Sequence, residues 1–290
     1  MATLKEIRNR ITSVNSTRQI TSAMMMVASA KLKKAQNAIQ RLLPYSQKMQ
    51  ELLSNLSSSM DSEVGGEFVR KGEVEKVLLV VISSNRGLAG AFNSSVVKAV
   101  KSLLEDKYKD KQVDILPIGK KAYAVLDKIV PVYKNHSNLW NAPTYENTAK
   151  IADEVIEKFT SGDYDKVELV YNHFKNVIVQ VLQVEPFLPI ELNPEKKSLT
   201  SGVQTDYIFE PTKEQILKNL IPKTLRTQFF KAILDSHAAE HGARMSAMQS
   251  ATDNAKTLTQ ELTISYNKAR QAAITGELIE IVSGAQALEG

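Results

Sequence analysis

The first sixty residues repeat apolar side chains at a spacing that few folds can use. Positions 4, 7, 11, 14, 18, 21, 25, 28, 32, 35, 39, 42, 46, 49, 53, 56 and 60 step alternately by three and four. Fourteen of these seventeen are Leu, Ile, Val, Met or Ala; the exceptions are Arg18, Thr21 and Ser46. A globular helix carries a broader stripe that follows the 3.6-residue turn, so this strict alternation predicts a coiled-coil seam. Pro44 lacks an N–H and predicts a kink near Leu43.

The C-terminal third has the same habit. From Lys223 to Thr275 it contains no Pro and only Gly242, while Ala255, Leu258, Leu262, Ser265, Ala269 and Ala272 step by three and four. At ~1.5 Å per residue, a helix from Pro222 to about Ala287 would be roughly 100 Å long and the N-terminal one roughly 80 Å. Neither is stable alone. Small seam residues (Ala28, Ala35, Ala255, Ala269) allow close approach, and a folded segment between the two makes antiparallel pairing the natural one.

That middle segment has a different texture. KVLLVVISS (76–84) is a β-branched run suited to a strand buried on both faces, followed by a helical stretch from Asn93 to Asp106. VDILPIG (113–119) repeats the strand signal, a helix fits Tyr145 to Phe159, and DKVELVYNHF and VIVQVLQVEPF read as two strands joined near Lys175 and Asn176. The alternation predicts a small open α/β sheet, Rossmann-like in type. The expected organisation is thus a coiled-coil helix over 1–60, an α/β domain over 73–192 and a C-terminal coiled-coil helix within 207–290. Residues 61–72 and 193–206 read as connecting loops.

Composition narrows the function classes. With 24% charged residues and no run near ~18 consecutive apolar ones, the sequence predicts no membrane span. Cys is absent, which removes disulfides, thiolate nucleophiles and Cys-ligated metals. MATLKEIRNRITSV enters a structured pattern at once, so no signal or transit peptide is expected. Residues 1–59 hold nine Lys or Arg against Glu6 and Glu51, a net +7. A basic helix suits nucleic acid, an anionic membrane surface, an acidic partner or plain solvation.

Catalytic motifs are missing. SSNRGLAGAFN (83–93) lies between a strand and a helix, where phosphate sites occur, yet Gly87 and Gly90 do not complete G-x-G-x-x-G, so it reads as a tight turn. His237, Glu240 and His241 spell H-x-x-E-H, an inverted zinc-protease motif that still needs a third ligand and a pocket. What stands out is surplus apolar surface. Ile20, Met24 and Val27 form a second stripe off the seam, and Ala272 to Val282 is apolar on every helical side. Both predict burial: the stripe either against the C-terminal helix, where the coil is wider, or by another body, and the tip by another body.

Both ends of the chain, MATLKEIRNRITSVNSTRQITSAMMMVASAKLKKAQ and ARMSAMQSATDNAKTLTQELTISYNKARQAAITGELIEIVSGAQA, closely resemble the gamma subunit of the F-type ATP synthase. The family's C-terminal signature, I/V-T-x-E-x-x-D/E-x-x-x-G-A, is met by Ile274, Thr275, Glu277, Glu280, Gly284 and Ala285. The resemblance implies a non-catalytic rotor without a cofactor or metal. Its paired helices stand inside a ring of alpha and beta subunits, and its foot rests on epsilon and the membrane c-ring. Rotation driven by a proton gradient then powers ATP synthesis from ADP and phosphate.

Carried over by resemblance, Met24, Glu240, Arg244, Arg270, Gln271, Ile274 and Thr275 face alpha and beta subunits, and Tyr207 and Glu210 face epsilon and the c-ring. Met25 departs from the family habit of a charged residue at that position. The implied location is the cytoplasmic face of the bacterial inner membrane, peripheral and touching the membrane only through other subunits. The competing reading is an interaction module, a coiled-coil arm with an α/β head docking nucleic acid or another protein.

Overall fold

The computed structural model describes residues 3–58, 68, 72–190 and 212–289. Two long helices, α1 (Leu4–Ser58) and α5 (Lys213–Glu289), flank the α/β elements: β1 (Lys76–Ile82), α2 (Phe92–Ser102), β2 (Gln112–Ile118), α3 (Lys120–Leu126), α4 (Tyr145–Thr160), β3 (Lys166–Phe174) and β4 (Gln180–Leu188). The terminal segments pair as an antiparallel two-helix coiled coil. Two compact units result, one of Met1–Ala28 with Met245–Gly290 and the other of Ser29–Arg244.

In the first unit the N-terminal half of the pairing follows the sequence pattern. Ile7, Thr21 and Ala28 are buried and Leu4, Ile11, Val14, Arg18 and Met25 are half-buried. Thr21 sits in an apolar seam because it finds a partner: its hydroxyl lies 2.8 Å from that of Thr252. The C-terminal half corrects the expected register. Met248 and Ala255 are buried and Thr252, Thr259, Leu262, Tyr266 and Ala269 half-buried, whereas Leu258 is 42% exposed and Ser265 and Ala272 face outward. Ala255, Leu262 and Ala269 are seven apart, so the position between each pair can fall three or four residues on. The steps from Met248 through Thr252 to Ala255 set the phase that continues to Thr259.

In the second unit a four-stranded sheet has the order β2-β1-β3-β4. β1 pairs in parallel with β2 and β3, and β4 closes the edge antiparallel to β3 through the 175–179 hairpin. The all-apolar β1 is central and has no exposed residue after Lys76. One face carries α4 and the 217–243 part of α5, packing Val155, Phe159, Leu217, Ile221, Leu225 and Phe229 against the sheet. The other carries α2 and α3 through Val96, Val100, Ala122 and Leu126.

Three local readings change. α5 begins at Lys213, upstream of Pro222, and runs through that proline. Leu217, Ile221 and Leu225 form a buried i, i+4 stripe across it, and this burial offsets the ~3 kcal/mol an interior proline costs. α2 ends at Ser102 and gives way to a π-turn over Leu103–Lys107. α3, absent from the sequence reading, follows Gly119 (φ +117°), where an added Cβ would lie 2.0 Å from the Ser83 carbonyl oxygen.

Candidate partner interface and the buried polar cluster

The apolar surplus lies on the outside. Ile20 and Val27 are exposed beside the half-buried Met24, so these two positions of the second stripe do not pack on the C-terminal helix. At the end of α5, Ile274, Leu278, Ile279, Ile281 and Val282 are 50–67% exposed. These five contribute large aliphatic surface on more than one side of a single helix, which water disfavours by ~25 cal/mol per Å². Arg270, Gln271 and Thr275 are exposed on the same stretch. Gly276 and Gly284 lie on the same stretch. A Cβ at either would meet nothing of this chain within 4 Å, so no packing within the described residues requires glycine there.

Glu240 and Arg244 have a different setting. They are only 3% and 9% exposed, and their polar atoms are engaged inside the chain. Glu240 Oε1 pairs with Arg244 Nη1 at 2.5 Å, and Glu240 Oε2 accepts the indole N–H of Trp140 at 3.0 Å. Arg244 Nη2 donates to the carbonyls of Arg86 and Gly87, at 3.3 and 3.2 Å. The chain's single tryptophan stacks on His237 with ring centroids 4.1 Å apart. Sequence reasoning had not singled out Trp140. The available signal was an excess of polar residues, Asp235, Ser236, His237, Glu240, His241 and Arg244, in a helix long enough to be packed on several sides.

The SSNRGLAGAFN turn holds itself together. Asn93 Oδ1 accepts from the Ser84 N–H at 3.0 Å, the Ser84 hydroxyl donates to the Arg86 carbonyl at 2.6 Å, and Leu88 and Gly90 take positive φ. Carbonyl oxygens of this turn face Arg244, which is the wrong polarity for a phosphate.

Ligand atoms of His237, Glu240 and His241 lie within 4.8 Å of one another. Their surroundings oppose a cation. Burial, Arg244 and Lys31 lower the pKa of His237 to about 4, and burial, His237, Arg244 and Lys31 lower that of His241 to about 3. The same two cations repel a bound metal, and Glu240 already answers Arg244 and Trp140. The inverted zinc motif therefore does not fit a zinc centre.

Tyr207 and Glu210 lie outside the described residues, as do most of the two expected loops. Among the described residues no helix is long and apolar enough to cross a membrane.

A family model described as ATP synthase matches residues 3–288. The chain belongs to the ATP synthase gamma-chain family. It is 57% identical over 290 residues to the ATP synthase gamma chain of Flavobacterium johnsoniae, with all of both chains covered. It is 42% identical over 291 residues to the ATP synthase gamma chain of Trichlorobacter lovleyi, again across both whole chains. Among solved structures, a chain of the Tetrahymena thermophila mitochondrial ATP synthase central stalk and c-ring superposes with a TM-score of 0.55 at 26% identity, covering 80% of this chain and 99% of that one. A chain of the Euglena gracilis mitochondrial ATP synthase F1/c-ring assembly shares the fold, with a TM-score of 0.66 at 19% identity over 98% and 94% of the two chains. This gamma-family membership extends through the α/β domain, where the sequence resemblance was weakest. The alternative of a nucleic-acid-docking arm finds no support in these matches.

Proposed function

We propose that this chain is the non-catalytic shaft of a bacterial ATP synthase, turning inside a ring of alpha and beta subunits and driven by the c-ring beside epsilon. The supporting observation is the end of α5, where Ile274, Leu278, Ile279, Ile281 and Val282 are exposed although their chemistry demands enclosure. A socket formed by other polypeptides supplies it.

A shaft without threefold symmetry meets three identical catalytic subunits in three different ways. Each orientation shifts a subunit's open–closed equilibrium only by the difference in contact energy between the two forms. Reciprocity then makes nucleotide occupancy bias the shaft's orientation, so proton-driven rotation favours ATP synthesis and hydrolysis reverses it. Hydrogen bonds to charged groups are worth ~1.5–3 kcal/mol each, so a few contacts of Arg270 and Gln271 favour one orientation without arresting rotation. Met24, Ile274 and Thr275 meet alpha and beta subunits, while Tyr207 and Glu210 meet epsilon and the c-ring. The chain holds no cofactor, binds no nucleic acid and sits peripherally on the cytoplasmic face of the inner membrane, reaching the lipid only through its partners.

The test is single-molecule rotation. The chain lacks Cys, so Lys128→Cys on an exposed position of the α/β domain offers one attachment point for a bead. Unidirectional stepping of the bead during ATP hydrolysis by the assembled complex is expected. Hydrolysis at full rate with a stationary bead refutes the assignment.

A further inference from the structure

The buried polar side chains of α5 concentrate between Asp235 and Arg244, and they reach three separate segments of the α/β domain. Glu240 holds Trp140 in the 137–141 turn, and Arg244 holds the carbonyls of Arg86 and Gly87 between β1 and α2. Asp235 Oδ2 lies 2.9 Å from His173 Nδ1 on β3. Asp235 and Glu240 are five positions apart, so these two contacts leave the helix ~140° apart around its axis. On the Asp235 side, about 20° round the axis from it, Gly242 admits the β3–β4 hairpin, since a Cβ there would lie 3.0 Å from Phe174 Cε2 and 3.6 Å from Val177 Cα.

Net stability does not explain this arrangement, because a buried ion pair is often no better than an apolar replacement of the same volume. Directionality does. Apolar packing is non-directional and tolerates small rolls of a helix about its own axis, whereas hydrogen bonds weaken steeply once bent. Bonds placed on two sides of α5 therefore resist rolling in either sense.

We propose that Trp140, Glu240, Arg244, Asp235 and His173 form a two-sided latch that fixes the rotational register of α5 in the α/β domain, so that torque passes between them without slippage. This inference rests on the shaft reading above. It gives Glu240 and Arg244 a role in coupling that is exercised from inside the chain. They are positioning residues.

The test uses the Cys-free background. Gly87→Cys fits sterically, since its Cβ would meet only Lys121 Cε at 3.7 Å and Nζ at 3.9 Å, and it is combined with Arg244→Cys to remove the guanidinium. A single cooperative denaturant transition identifies folded chain. In the assembled complex the ratio of in-register to rolled shafts falls on the order of ten-fold, read as hydrolysis that continues while protons moved per ATP decline. Bridging the two thiols with a short bifunctional reagent restores the ratio, which no change in charge at a partner's surface can do. Wild-type coupling in the unbridged variant overturns the latch, and so does a defect that persists after bridging, which assigns Arg244 to contact with another subunit. Where the double variant does not assemble, Trp140→Phe decides: it keeps a ring over His237 and removes only the N–H. A smaller loss of protons per ATP supports the latch, and an unchanged ratio overturns it. Failure of the shaft reading itself shows separately, as a stationary bead on the wild-type chain.

Discussion

Acid should release the packing around Trp140 in a measurable way. His237 and His241 have rings 5.7 Å apart, and burial together with Lys31 and Arg244 brings their pKa values from 6.5 to about 4 and about 3. The folded chain holds both imidazoles neutral while the unfolded chain protonates them below pH 6.5. The unfolded state thus binds more protons between those limits, and the stability these groups contribute is complete above pH 6.5 and is lost as pH falls toward 4 and 3. At about pH 4.5 each histidine costs on the order of 2–3 kcal/mol, about 5 kcal/mol for the pair, because one pKa unit corresponds to 1.36 kcal/mol. Guanidinium unfolding of the full chain at pH 7 and at about pH 4.5, followed by Trp140 emission, measures the loss. In a His237→Phe, His241→Leu chain the fall across that interval should be smaller by about 5 kcal/mol. Equal losses in the two chains refute the assignment of two buried neutral histidines. Trp140 makes the readout local, since its ring stacks on His237.

Three further outcomes are expected. Arg270→Ala with Gln271→Ala, both exposed on α5, lowers ATP-driven proton pumping in the assembled complex while leaving the chain's own unfolding midpoint unchanged; unaltered pumping in a correctly assembled complex counts against the contact. Gly284→Ala raises the helicity of the isolated chain by the ~0.5–1 kcal/mol that glycine costs in a helix interior, yet weakens assembly in competition with the native chain, because the added methyl meets a partner and nothing of this chain. Phe229→Ala removes a fully buried ring that meets Phe187 edge to face with centroids 5.6 Å apart, and lowers stability by about 3–5 kcal/mol in a denaturant titration.

Most of the architecture was legible because it rests on periodicity. A 3.5-residue repeat specifies a seam at Ile7 or Ala28 whatever lies elsewhere, and a short β-branched run such as KVLLVVI suits a strand covered on both faces. The α5 register was not legible. Leu258 outranks Thr259 in hydrophobicity, but the choice between them is made by the phase inherited from Met248 and Thr252, and Thr259 settles its hydroxyl on the Ala255 carbonyl at 2.8 Å. α3 escaped for a related reason: its seven residues carry too few turns for a period to show, and its position depends on a contact between Gly119 and Ser83 that joins distant parts of the sequence.

The exposed surfaces and the buried cluster invert the usual distribution in opposite senses, and the two inversions divide the work of one helix. Near its end α5 exposes aliphatic side chains; on the shaft reading proposed above, the energy gained there appears only on assembly and varies with what the socket presents. Around Glu240 it buries charges that already have partners, so their geometry is fixed before any assembly. A contact that must differ among three orientations is better made by forgiving apolar surface with a few charged anchors. A joint that must not move is better made by directional bonds in a low-dielectric interior, where breaking one partner leaves a buried charge uncompensated at a cost of ~3–5 kcal/mol. Sequence reading could identify the first kind of surface, because an apolar run without a place to hide is visible in one dimension. The second depends on Trp140, Arg86 and Gly87 meeting α5 across 100 to 158 positions of the chain, and only the fold brings them together.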